Sequence, residues 1–318
     1  MLKFIGHAGF MYSTNNEILL MDPWMSKTGA FDSSWYQFPS NHSLGDEIRH
    51  EIDSTSKEVY IYISHEHKDH FDVDYLKTLN LSKVNFITPK FRRDHVASVL
   101  EKLDPKSVTT PVDSEVLNIG KMEIRLFLDD QEIVRDSALG LIDFENDFTF
   151  LNLNDCKVYD RVDELKSIFK KFDVFTCQFS GAVFHPVCYE YPEKKYKEIS
   201  ESKVYGKFSS VKNLVSKFEP NLYVPAAGPP VFLDPNLISI NYEEVNIFSS
   251  PFKFKNYLSK EVPNLNVEVP VPGSSFKKIE NDITIDHPIE NPESLFEKET
   301  IESYANEYRY VFEERENQ

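Results

Sequence analysis

Short apolar runs divided by polar turns fill the first half of the chain, and longer amphipathic stretches become frequent in the second. Residues 59–63 (Val59, Tyr60, Ile61, Tyr62, Ile63) are apolar, β-branched and aromatic, the pattern of a buried strand. Residues 3–12 and 17–21 predict a hairpin around the turn residues Ser13, Thr14, Asn15 and Asn16. Residues 84–87 predict a strand, and 115–128 a hairpin turning at 118–121 that delivers Asp129 and Asp130 to a strand end. A further pair spans 139–142 and 148–153, with later strands at 173–179 and from 221. Helical spacing marks 72–79 behind the capping carboxylates Asp72 and Asp74, 91–103 before Asp104 and Pro105, and 162–171. A long helix is predicted over 192–218, with Phe208, Val211, Val215 and Phe218 as its apolar stripe and lysines opposite, including Lys203, Lys207 and Lys212. An acidic helix closes the chain over 293–314. Residues 25–57 show no clear period and predict a long loop bearing Phe31, Trp35, Tyr36 and Phe38; residues 236–290 give only weak, Pro-punctuated signals. The mixture predicts an α/β domain over 1–235 and an extension over 236–318 packed on it.

Composition narrows the function. The 318 residues are 41% hydrophobic, enough for a sizeable core. A net charge of −17 disfavours a nucleic-acid partner, because a polyanion is repelled unless a local basic patch intervenes. It leaves room for a small anionic substrate at a metal centre, where the ion dominates the local field. Cys156, Cys177 and Cys188 are odd in number and widely spaced, which argues against a disulfide framework. No apolar run reaches membrane-spanning length, and the residues after Met1 run straight into a strand pattern rather than a signal peptide. A cytoplasmic protein is expected.

The chemistry concentrates directly after the strand at 59–63, in Ser64, His65, Glu66, His67, Lys68, Asp69 and His70. If the chain stays extended, alternation sends His65, His67 and Asp69 to one side, with His70 at the turn into the next helix. Imidazole and carboxylate are ligands for zinc, iron and manganese. A lone histidine is usually structural or solvated, and His42, His50 and His95 are taken so. Three histidines in six residues, with an aspartate among them, make a metal cluster. Asp22 ends an apolar strand and is placed to hydrogen-bond a ligand histidine. His185, in a loop beyond a strand end, is the best spare histidine for a catalytic, substrate or metal contact.

The spacing His65-x-His67-x-Asp69-His70 resembles the signature of the metallo-β-lactamase superfamily. The resemblance implies an αββα sandwich with its metal site at one rim, His65 and His67 serving one metal and Asp69 and His70 a second. Gly6-His7-Ala8 is similar to the opening of the branch that holds UlaG-like lactonases and the N-acyl phosphatidylethanolamine phospholipase D type, with His7 set behind the ligands. Asn154-Asp155 is similar to the superfamily motif whose aspartate bridges two metals, which makes Asp155 a ligand and, with Asp69, a catalytic residue. Relatives bring a further histidine about where Asp129 and Asp130 stand; either is a ligand, or both lie in a turn. They bring a last histidine near 221–230, where Asp234 is the only nearby candidate. Three stretches, 152–156, 178–182 and 223–228, resemble the catalytic part of CMP-N-acetylneuraminate hydroxylase. That family carries a Rieske iron–sulfur domain, and this chain holds no Cys-x-His pairs for one.

Three functions follow. A non-haem iron or di-iron oxygenase would hydroxylate a small polar or nucleotide-linked substrate with electrons from a separate protein. A metal-dependent hydrolase, of phosphodiesterase or lactonase type, would use a metal-activated water. A binding protein would keep the site without chemistry. One or two metal ions are expected; the carboxylates in the set favour iron, with zinc and manganese as alternatives.

Overall fold

The computed structural model describes residues 1–131, 135–181, 183, 185–280 and 282–316; Ala182, in the second resembling stretch, and Phe184, beside His185, lie outside them. Strands β1 (Leu2–Gly6), β2 (Gly9–Ser13), β3 (Glu17–Met21), β4 (Glu58–Tyr62), β5 (Val84–Ile87) and β6 (Ser107–Thr109) form one sheet. Strands β7 (Val116–Ile119), β8 (Met122–Asp130), β9 (Arg135–Asp143), β10 (Phe148–Asn152), β11 (Val174–Gln178) and β12 (Leu222–Ala226) form the other, ordered β12-β11-β10-β9-β8-β7. Phe10, Tyr12, Met21 and Tyr62 from the first sheet meet Leu126, Leu139, Leu141, Phe150 and Val224 from the second. Helices cover both outer faces, which makes the αββα sandwich that the motif resemblance implied.

After the single turn α1 (Ala30–Ser33), α2 (His42–Ser54) and the short helices α3 (Val73–Leu76) and α4 (His95–Glu101) pack on the first outer face, against Ile5, Ile18, Leu20 and Ile61. On the second, α5 (Val162–Phe169), α6 (Glu193–Phe218) and α7 (Pro251–Glu261) pack on Phe127, Leu151 and Phe175. Because both faces are covered, β4 is apolar through its centre and β10 is buried along its whole length, instead of alternating.

Two weakly patterned stretches hold more structure than expected. Helix α2 lies inside the stretch read as a loop; Leu44, Ile48 and Ile52 are buried at four-residue spacing, a stripe too narrow to stand out among its charges. Each such side chain contributes roughly 1.5–3 kcal/mol on burial. Residues 236–290 supply α7 and the hairpin β13 (Ser275–Ile279) and β14 (Asp282–Asp286), which extends the first sheet by pairing Leu2 with Phe276. The closing helix α8 (Lys298–Glu316) packs Ile301, Tyr304, Tyr308 and Phe312 on Tyr36, Phe38, Val231 and Leu233. Among the described residues no helix is long and apolar enough to cross a membrane.

Register determines where the site forms. Parallel pairing of Met21 with Tyr62 brings Asp22 and Ser64 out at the same rim. In the other sheet Asn152 pairs with Leu139 antiparallel, so the segment after β10 and the start of β9 emerge together at that rim. There Ser137 Oγ donates to Ser64 O (2.8 Å) and Tyr62 OH donates to Ser137 O (2.9 Å), tying the two sheets at the site.

Candidate metal centre

Strand β4 stops at Tyr62, and the histidine-rich segment is a turn, not the extended strand on which the alternation argument rested. His70 N and Phe71 N both donate to His67 O (3.0 and 2.7 Å), which wraps the segment around a common point. Asp72 holds the far side, accepting from Tyr75 N, Met25 N and Ser26 N. Two groups of ligand atoms result, each within 4.8 Å of one another: His65, His67 and Asp155, and His7, Asp69 and His70. The His65 and His70 rings lie 4.3 Å apart between centroids. His70 Nε2 stands 3.8 Å from Asp155 Oδ1 and 3.8 Å from Asp69 Oδ2, so Asp155 lies between the groups.

Asp22 sets the imidazoles. It is fully buried and accepts from Ser64 N (2.8 Å), Ser64 Oγ (2.6 Å) and His70 Nδ1 (2.9 Å). With its hydroxyl hydrogen committed to Asp22, Ser64 Oγ accepts from His65 Nδ1 (2.9 Å). In their neutral form both histidines therefore keep hydrogen on Nδ1 and leave the inward Nε2 for a metal.

The charges fit a cation. Asp69 Oδ1, His70 Nε2 and Asp155 Oδ1 are buried without a hydrogen-bond partner, an unusual concentration of orphaned donor atoms at one point. Burial opposes a charge on His70, but Asp69, Asp155 and Asp22 outweigh it and push it up to about 10. Burial works to raise Asp69, yet the His70 and His7 imidazoles hold it well below the usual carboxylate range. Burial, with the His70 and His67 rings, keeps His65 well below 6.5 and therefore neutral. Without a metal, a proton on His70 serves as the cation this acidic pocket demands; a metal ion meets the same demand with more ligands.

Several expected residues stand elsewhere. His7, expected behind the ligands, comes to the cluster itself, its Nε2 3.1 Å from Asp69 Oδ2. Neither Asp129 nor Asp130 joins a ligand group: Asp129 accepts from Gln131 Nε2 (2.9 Å), and Asp130 accepts from Arg92 N (3.0 Å). Asp136, opposite Asp129 in the β8–β9 ladder, stands 3.5 Å from His65 Nε2 instead. Burial first, then Asp155, pushes Asp136 up to about 7. Nothing in the periodicity marked it, because β9 begins at Arg135 and not at the apolar run from 139. The one signal was an acidic residue three positions before the apolar run. Asp234 caps a turn through Asn236 N. His185 is buried against α6, with Nε2 2.8 Å from Ser200 Oγ, and belongs to neither group. His42 bonds Met25 O and the hydroxyls of Tyr304 and Tyr308, a structural role.

Comparison with known proteins agrees with the fold. Residues 1–150 match the model of the β-lactamase superfamily domain. A protein of Mycolicibacterium smegmatis named putative Rieske 2Fe-2S iron-sulfur protein is 29% identical over 315 residues, covering 95% of this chain and 58% of that one. The chain spans about half the length of the curated relatives it matches. Among solved structures, CmlA, a diiron β-hydroxylase from Streptomyces venezuelae, superposes with a TM-score of 0.54 at 14% identity, covering 85% of this chain and 52% of CmlA. The metallo-β-lactamase fold protein YhfI from Bacillus subtilis superposes with a TM-score of 0.52 at 11% identity, covering 88% and 92%.

Proposed function

The chain has the metallo-β-lactamase fold, and from that premise we propose that it is a non-haem di-iron oxygenase, hydroxylating a small polar or nucleotide-linked substrate with electrons from a separate protein. One observation carries the reading: two adjoining ligand groups in which carboxylates stand beside every pair of histidines. That donor set is harder than an all-imidazole site and suits iron. His65, His67 and Asp155 would hold one ion, and His7, Asp69 and His70 the other, with Asp136 completing the shell of the first. Bound iron supplies the activation of O₂. The protein's own part is to keep His65 and His70 in the Nε2-ligating form through Asp22 and Ser64, and to wall the centre with buried residues. The Rieske name of the longer relatives and the diiron hydroxylase on the same fold support an electron-fed iron centre. The three cysteines form no Cys-x-His pair, so a Rieske cluster feeding electrons would lie outside these 318 residues.

Metal analysis of protein purified in air and without oxygen tests this. Two irons per chain, with O₂ uptake on chemical reduction, are expected. Zinc in their place, with turnover of a nitrophenyl phosphodiester or a lactone and no O₂ uptake, replaces the reading with a hydrolase.

A further inference from the structure

Strand β11 ends beside the metal groups: Gln178 N donates to Asn154 O (2.9 Å), next to Asp155. Phe179 turns into the helix-side core, stacked on Phe254, so its neighbours Gln178 and Ser180 face away from that core. From α6, Lys207 extends its Nζ to Gln178 Oε1 (2.6 Å). An ammonium has three donors, and a neutral amide uses one. Among the described residues no carboxylate stands within ion-pair distance of Lys207; Asp155 acts on it only through space, and Lys157 adds a second positive charge nearby. Burial disfavours its charge, so the group is held where a cation is costly and lacks a counter-ion.

A second donor waits on the same strand end. Ser180 is 2% exposed and its Oγ has no hydrogen-bond partner. Gly228 (φ +134°) passes so close that a Cβ there would stand 2.1 Å from Ser180 Oγ, which leaves only glycine room to follow β12 across this hydroxyl. The same loop is fixed to the metal rim, since Ala227 N donates to His7 O (2.9 Å). We propose that Lys207 and Ser180 bind an oxyanion of the substrate, a carboxylate or a phosphate, at the β11 end of the metal rim. The inference rests on the metal-centre reading and names the substrate class for it. Coordinated Asp155 would spend its charge on the metal, and the incoming anion would serve as counter-ion to Lys207.

The test is equilibrium binding of inorganic phosphate and, separately, of succinate to the iron-loaded full chain, comparing wild type with Lys207→Met, Lys207→Arg and Ser180→Ala. Metal content and melting temperature are recorded for each. The expected result is a loss of about tenfold or more in affinity for the preferred anion in Lys207→Met, the scale of one charge-assisted hydrogen bond. Ser180→Ala loses less and Lys207→Arg retains binding, all with metal content unchanged. Which of the two anions binds more tightly distinguishes a phosphate from a carboxylate substrate. Binding of both anions by Lys207→Met within twofold of wild type, at full metal content, overturns the anion site and leaves the metal centre standing. Failure of the wild type to bind either anion does the same. Loss of metal in Lys207→Met also overturns it, because Lys207 would then serve the metal ligands. A wild type that takes up no metal fails the underlying reading instead, and is distinguished by the metal analysis alone.

Discussion

Replacing Asp22 by Asn tests the idea that one buried carboxylate presets the imidazoles. The side chain keeps its shape and one carbonyl oxygen, which can still accept from Ser64 N. Its new amide then faces two donors, Ser64 Oγ and His70 Nδ1. Ser64 can turn its hydrogen away only by giving up its acceptance from His65 Nδ1. Neutral His70 can escape only by moving its hydrogen to Nε2, the atom beside Asp69 and Asp155, which removes the lone pair that a metal would take. A buried donor left unsatisfied costs about 1–3 kcal/mol. At 1.4 kcal/mol per factor of ten, metal affinity should fall by roughly 5- to 150-fold, in line with the 10–100-fold typical of residues that hydrogen-bond metal ligands. Competition against a chelator measures this, with the melting temperature of the metal-free protein recorded alongside. The Co²⁺-loaded variant should also show a shifted visible band, which a purely structural defect would not produce. Metal affinity within twofold of wild type, in a folded variant, would refute the positioning argument.

Four further outcomes are expected. His67 is exposed, so His67→Ala should lower metal content by atomic absorption while the metal-free melting temperature stays nearly unchanged. Asp136 titrates near 7 when folded against 3.8 for a free side chain, so the folded protein holds the extra proton between those values and loses stability as pH rises through that window. Asp136→Asn should therefore melt increasingly above wild type from pH 4 to 7 in metal-free protein, and a constant difference would contradict the burial argument. Because His70 is protonated up to about pH 10 without metal, metal binding at pH 8 should release close to one proton from it, read by calorimetry in buffers of different ionisation enthalpy. Gly140→Ala would place a Cβ 2.1 Å from the Phe169 ring, and should cost about 1–3 kcal/mol in denaturant unfolding while metal content holds.

Local pattern was enough wherever one residue's neighbours in the chain are also its neighbours in space. The apolar run at 59–63, the histidines packed into 65–70, and Asp22 and Asp155 at the ends of buried strands were all legible in this way, while the αββα sandwich followed from the motif resemblance. Helix α2 was not, because three apolar residues among charges acquire meaning only when a sheet face lies beneath them. The site shows the same division. Sequence pointed to Asp129 or Asp130 for the missing ligand, by distance along the chain; those bond Gln131 and Arg92 instead, and the β8–β9 ladder brings Asp136, the cross-strand partner of Asp129, to His65. His7 reached Asp69 across 62 positions of sequence, and Lys207 met Gln178 from a helix whose lysines read as a solvated face. Ligand types and strand ends are properties of short stretches, so the chain alone determined them. Which carboxylate faces the cluster depends on strand register and on the packing of one sheet against the other, and only the folded structure decides that.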